Sequence, residues 1–123
     1  MRVPIQYALS YPHRWEAPGE RIDYREMGAL AFDKPDTEAF RCLGLALEAG
    51  RTGGTLPCAM NAANEVANAA FREGRAGFCD IDRVVEQVMD ATEVDPVVSL
   101  EQLAEVDSLS RERAKGFVDA LDR

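Results

Sequence analysis

From Pro35 onward the apolar positions recur every three to four residues, the period of helices that bury one face. The clearest stripe is Ile81, Val84, Val85, Val88 and Met89, at i, i+3, i+4, i+7 and i+8, with Asp80 placed to cap the helix that carries it. Phe40, Leu43 and Leu47 share a face of an earlier helix, which Asp36 or Thr37 can open and Gly50 or Gly53 can close in a left-handed turn. Between the two, a helix is predicted from about Pro57, favourable at N1, to Arg72, with Gly74 as its stop. Its face of Ala59, Ala63, Val66, Ala67 and Ala70 is small-sided and allows close helix approach. Ser99 and Gln102 form a capping-box pattern with the apolar Leu100 and Leu103, and Asp107 or Ser108 is predicted to open a last helix carrying Ala114, Phe117, Val118 and Leu121. The pattern therefore predicts an all-α fold, a four- to five-helix bundle over residues 37–123.

Residues 1–36 have a different texture. They hold Pro4, Pro12, Pro18 and Pro35 and no long periodic stretch; Tyr7, Tyr11, Trp15, Tyr24, Phe32 and, just beyond, Phe40 are six of the nine aromatic residues. The reading is an extended, partly irregular arm. Val3 to Leu9 can form a short helix with Pro4 in its first turn, ended by Pro12. Ala17 to Arg21 reads as loop, and Ala29 to Phe32 as one short strand whose partner would have to come from elsewhere.

Charge narrows the classes of partner. Fourteen Lys and Arg against 22 Asp and Glu leave −8, a field that repels phosphate backbones and anionic headgroups, so neither nucleic acid nor a membrane is an expected partner. Apolar runs are too short for a membrane span and the N-terminus lacks a signal-peptide core, which predicts a cytoplasmic protein. Cys42, Cys58 and Cys79 fit neither a disulfide framework nor a zinc pattern and read as reduced core thiols. A single histidine, His13, removes most sites that need histidine as base or ligand; it reads as a surface residue.

Three blocks in order carry a resemblance that spans essentially the whole chain: MRVPIQYALSYPHRW from Met1, IDYREMGALAFDKPDTEAFRCLGLALEAG from Ile22, and MNAANEVANAAFREGRAGFCDID from Met60. With Met1-Arg2, Pro4-Ile5, Tyr7-Ala8-Leu9, Pro35-Asp36 and the Asn61 to Glu65 run, the chain resembles the C-terminal region of the 1-deoxy-D-xylulose 5-phosphate reductoisomerase family. The resemblance implies an enzyme that isomerises and then reduces 1-deoxy-D-xylulose 5-phosphate to 2-C-methyl-D-erythritol 4-phosphate with NADPH and Mg²⁺ or Mn²⁺, in isoprenoid precursor synthesis. It also implies that the dinucleotide domain, the metal carboxylates and the phosphate-binding residues lie upstream of this chain. The chain itself is then a structural, non-catalytic domain without a cofactor of its own. Its expected partners are the catalytic domain of the same full-length chain and, for the whole enzyme, a second copy in a homodimer. Self-association of this piece through residues 1–36 is also expected. The alternative from another class is a stand-alone helical adaptor that kept the fold without the chemistry.

No residue is predicted to be catalytic or to bind metal. Met1 is the one candidate contact to the cofactor, because the corresponding family segment passes beside the nicotinamide and an apolar side chain there shields hydride transfer from water. Asn61, Asn64, Glu65 and Asn68 fall at i, i+3, i+4 and i+7 and line one helix face. They could offer oxygen atoms to a cation, but the favoured reading is a structural polar face that hydrogen-bonds backbone groups of the arm. Asn68 departs from the family pattern. Gly53-Gly54-Thr55 before a helix could hold a phosphate, yet without a lysine or a preceding strand it reads as a loop. Tyr7, Tyr11 and Trp15 read as anchors for the arm, and Arg2 as a docking residue.

Overall fold

The computed structural model describes residues 1–16, 19 and 22–121. Its helices are α1 (Arg2–Ser10), α2 (Arg41–Thr52), α3 (Leu56–Arg72), α4 (Asp80–Asp90) and α5 (Leu100–Asp119). The chain divides into two compact units, Met1–Lys34 and Pro35–Arg123.

In the first unit, α1 begins one residue earlier and ends one later than the sequence predicts, with Pro4 in the first turn, where a missing N–H costs nothing. The Ser10 hydroxyl donates to the His13 carbonyl (2.7 Å) while the His13 amide donates to the Ser10 carbonyl (2.8 Å), which turns the chain back. Arg14 then lies 4.3 Å over the Tyr7 ring, itself edge-on to Tyr11 at 5.9 Å. Of the predicted loop at Ala17 to Arg21, only Gly19 is among the described residues. The predicted strand at Ala29 to Phe32 does not form: no strand occurs among the described residues, and Leu30 and Phe32 are exposed. A strand needs a neighbour for its N–H and C=O groups, and none is available.

The second unit is built on α3, which packs against α2, α4 and α5. Ala59, Ala62, Ala63, Ala67 and Ala70 have no exposed surface. Methyl side chains let neighbouring helices approach closely, and the space is filled by Val84, Val85 and Val88 of α4, Leu45 of α2, and Ala114 and Val118 of α5. The α4 stripe is buried as predicted. Its N-cap, however, is Cys79; the Asp80 carboxylate reaches back to the Gly77 amide at 2.7 Å, and Asp80 and Asp82 both favour the positive helix end.

Two further elements differ from the sequence reading. The Asp36 carboxylate accepts from the amides of Glu38 (3.1 Å) and Ala39 (2.9 Å), but it closes a turn ahead of α2, which starts only at Arg41. The buried face of α2 is Leu45 and Ala49; Phe40, Leu43 and Leu47, the stripe predicted to face the core, lie on the outer side and are exposed. The two helices predicted after Ser99 are one. Ser99 caps it by accepting from the Gln102 amide at 3.1 Å, and the segment around Asp107 has no glycine or proline to stop it; Asp107 and Arg111 instead pair at i, i+4.

The link between α2 and α3 is fixed by a close approach. The Thr55 amide donates to the Asp95 carbonyl (2.9 Å), and the Thr55 hydroxyl accepts from the Asp95 amide (3.1 Å). Gly54 sits at φ +57° beside them, and a Cβ there would lie 2.4 Å from the Asp95 carbonyl oxygen. Gly54→Ala must therefore strain the backbone and push the α4–α5 connection away, at a cost of about 2 kcal/mol or more. Val85→Asp or Val88→Asp, each placing an unpaired charge in the α3–α4 seam, is expected to cost about 3–5 kcal/mol. Circular dichroism melts of the three variants check this: the alanine variant should keep a cooperative transition at lower temperature, and the aspartates should lose it.

Candidate functional site

The polar residues of α3 occupy the arc left free by its alanines. That arc splits. On one side, the Asn61 amide donates to Glu65 Oε1 (3.1 Å), and Glu65 Oε2 accepts from Arg111 Nη2 of α5 (2.7 Å). Arg111 also binds Asp107 through two nitrogens, at 2.7 and 3.1 Å. The partners recorded for Asn61 and Glu65 thus lie on α3 itself and on α5. The Arg111 guanidinium, and secondarily the Asn61 amide, holds the Glu65 carboxyl below its ordinary range; Arg111 does the same to Asp107, and the two carboxylates raise Arg111 in turn.

Asn64 and Asn68 fall on the other side and line a groove of about 280 Å³ formed with the approach to α2 and the start of α4. Its apolar walls are Phe40, Phe78 and Ile81, and its charged members are Arg41 and Asp82. Phe78 stands at the rim, 74% exposed, braced edge-on against Phe71 at 5.8 Å. Arg41 is held by Glu86 of α4.

The thiols are not core residues, contrary to the sequence reading. Cys42 and Cys79 are exposed and line this groove; Cys58 is half-buried, its Sγ donating to the Leu103 carbonyl at 3.4 Å. The α2 face turned to the core is the one carrying Leu45, which leaves Cys42 at its edge, and Cys79 sits in a helix-capping turn. Partial burial, with Asp82 adding, pushes the Cys42 thiol up; burial and Asp107 do so at Cys58. The groove is the element that sequence reasoning missed. The sequence places Asn64 and Asn68 on one helix face, but spacing alone does not bring Phe40, Cys42, Phe78 and Cys79 to them.

The remaining candidates are placed plainly. Met1 is 90% exposed at the end of α1. His13 is exposed. The Gly53-Gly54-Thr55 loop directs Thr55 into its bonds with Asp95. Among the described residues, no three His, Cys, Asp or Glu side chains converge as a metal site. No helix among them is long and apolar enough to cross a membrane.

The profile of the DXP reductoisomerase C-terminal domain matches residues 1–113. The chain belongs to the 1-deoxy-D-xylulose 5-phosphate reductoisomerase family. It is 50% identical over 111 residues to the reductoisomerase of Heliobacterium modesticaldum, covering 90% of this chain and 28% of that protein. The reductoisomerase of Methylobacillus flagellatus is 49% identical over 114 residues, 93% of this chain and 29% of the relative. Among solved structures, the Zymomonas mobilis reductoisomerase in complex with NADPH superposes with a TM-score of 0.90 at 38% identity, over 97% of this chain and 32% of that one. A reductoisomerase in complex with magnesium gives 0.87 at 31% identity, over 99% and 33%. The chain thus spans less than a third of the length of its curated relatives.

The ion-pair network gives a pH signature. Glu65 and Asp107 are depressed in the fold, so their contribution is complete above the unfolded carboxylate range, roughly pH 4, and is lost as pH falls through the folded values. Arg111→Gln is expected to melt lower than the parent chain at neutral pH. The gap between the two melting temperatures should close as the pH is taken from 6 to 2, as checked by parallel melts.

Proposed function

We propose that this chain is the C-terminal helical domain and connecting segment of a reductoisomerase that converts 1-deoxy-D-xylulose 5-phosphate to 2-C-methyl-D-erythritol 4-phosphate with NADPH and a divalent cation. The observation that carries the reading is the match along residues 1–113 to the C-terminal domain alone, in a family whose members are more than three times as long. Structural relatives were solved with NADPH and with magnesium. The residues here do not fit the cation: the carboxylates of α3 and α5 face Arg111 rather than one another. On this reading the domain is structural and inactive alone, and the cofactor chemistry belongs to the rest of the enzyme.

Within that enzyme, Met1 is the residue of this chain assigned to the cofactor, as an apolar shield beside the nicotinamide. Its exposed side chain is free to take that role when the upstream part is present. Asn61, Asn64 and Glu65 are assigned a structural polar face, supported for Asn61 and Glu65 by the Asn61–Glu65–Arg111 bonds. Residues 1–36 are assigned to the catalytic domain, residues 37–123 to the terminal one. The partners are that catalytic domain and a second copy of the whole enzyme, in the cytoplasm. Without the catalytic domain, the exposed Val3, Ile5, Leu30 and Phe32 favour self-association.

The test is a chimera in which this chain replaces the matched C-terminal part of the Heliobacterium relative. With 1-deoxy-D-xylulose 5-phosphate, the chimera should oxidise NADPH, followed by absorbance, and the isolated chain should not. A folded but inactive chimera, beside an active parent, would overturn the assignment.

A further inference from the structure

We propose that the groove lined by Asn64 and Asn68 binds an extended polypeptide segment contributed by the part of the reductoisomerase that lies outside these residues. The inference rests on the functional reading above and gives that domain a specific docking device. Three observations carry it.

The first is spacing. Four residues along an α-helix advance about 6 Å, and two residues along an extended chain advance about 6.6 Å, so carboxamides at i and i+4 meet alternate peptide units of a strand laid along α3. Each carboxamide offers an N–H donor and a C=O acceptor, the complement of a peptide group. Asn64 is half-buried and Asn68 exposed, and both line the groove. A main-chain segment so held has its polar groups satisfied without a sheet edge.

The second is the wall. Phe40 and Phe78, 68% and 74% exposed, line the groove together with the amides and the buried Ile81. Two exposed aromatic rings sharing a groove with two amides suit a chain whose alternate side chains are apolar, since those on one face of a strand point the same way. Arg41 is paired with Glu86 and lies in the field of Asp82 as well, so two carboxylates face one guanidinium at this groove. An acidic segment is disfavoured there, and an apolar segment with a neutral or basic flank is preferred.

The third is the amount of protein able to supply it. More than two thirds of each relative's length lies outside the match, enough chain to supply a segment of this kind.

Cys42 and Cys79 line the groove and Cys58 does not, so the thiols report occupancy directly. The experiment measures N-ethylmaleimide labelling rates of each cysteine by mass spectrometry, in the isolated chain and in the chimera. In the chimera, Cys42 and Cys79 should label about tenfold slower or more, with Cys58 little changed. Asn64→Ala with Asn68→Ala should restore fast labelling. Asn68→Asp, nearly isosteric at an exposed position, removes one donor without disturbing the fold and should restore it in part.

Equal rates in chimera and isolated chain would overturn the proposal. So would protection that survives both sets of amide variants, since the cover would then not be held by main-chain hydrogen bonds. Protection that appears in the isolated chain only as its concentration rises would give the groove to a second copy instead. An active chimera with unprotected thiols removes the groove proposal and leaves the functional reading intact. An inactive chimera with amide-dependent protection does the reverse.

Discussion

The fold depends on how closely three helices can approach α3. Five alanines with no exposed surface make its inner face a smooth rod, and the valines of α4 seat directly on it. Any longer side chain on that face would have to move α2, α4 or α5 outward, because close-packed interiors have no spare volume for added methylenes. The same constraint gives the polar residues of α3 their order. With the inner face closed to them, Asn61, Asn64, Glu65 and Asn68 share one narrow outer arc, and the neighbours on its two sides assign them different work.

Charge is distributed with similar economy in a chain of net charge −8. Arginines sit where helices meet: Arg41 joins α2 to Glu86 of α4, Arg111 joins α5 to Glu65 of α3, and the Arg113 guanidinium donates to the Ala91 carbonyl at the end of α4 at 2.7 Å. The last also answers the negative helix terminus. Each such pair is part-exposed and individually modest, yet their placement sets which acidic residues stay near a counter-charge. The carboxylates are thereby kept from collecting into a site of their own.

The α4 stripe and the α3 alanine face were readable in the sequence because each has one apolar side and one role. α2 was not, because it has two. Phe40, Leu43 and Leu47 form the stripe with more apolar residues, and periodicity ranks that count; packing instead turned Leu45 and Ala49 against the α3 alanines, and since Leu45 is no smaller than Leu43 or Leu47, local side-chain size could not have told the two faces apart. The merger of two predicted helices into α5 has the same kind of origin, since a capping residue inside a helix can satisfy itself through an i, i+4 partner. The Ala29 to Phe32 strand failed for the opposite reason, that strand propensity has no meaning without a neighbour. Of the candidate site, the asparagines were legible by spacing. The groove was not, because Phe78 and Cys79 reach it from the turn ahead of α4 and Cys42 from the first turn of α2, more than thirty residues apart in sequence.

The two-sided character of α2 bears on what kind of object this domain is. A helix with one apolar face inside and a second outside has more hydrophobic surface than its own unit can cover, and a polar solvent-facing residue at Leu43 or Leu47 would be the simpler choice for a free-standing protein. The same holds for Phe40 and Phe78 around the asparagines. Uncovered apolar surface lies on and beside α2 and again from Val97 to Leu100, while the core between α3, α4 and α5 is closed. A domain with a closed core and an apolar surface has hydrophobic area left over, and chains of its family are more than three times as long.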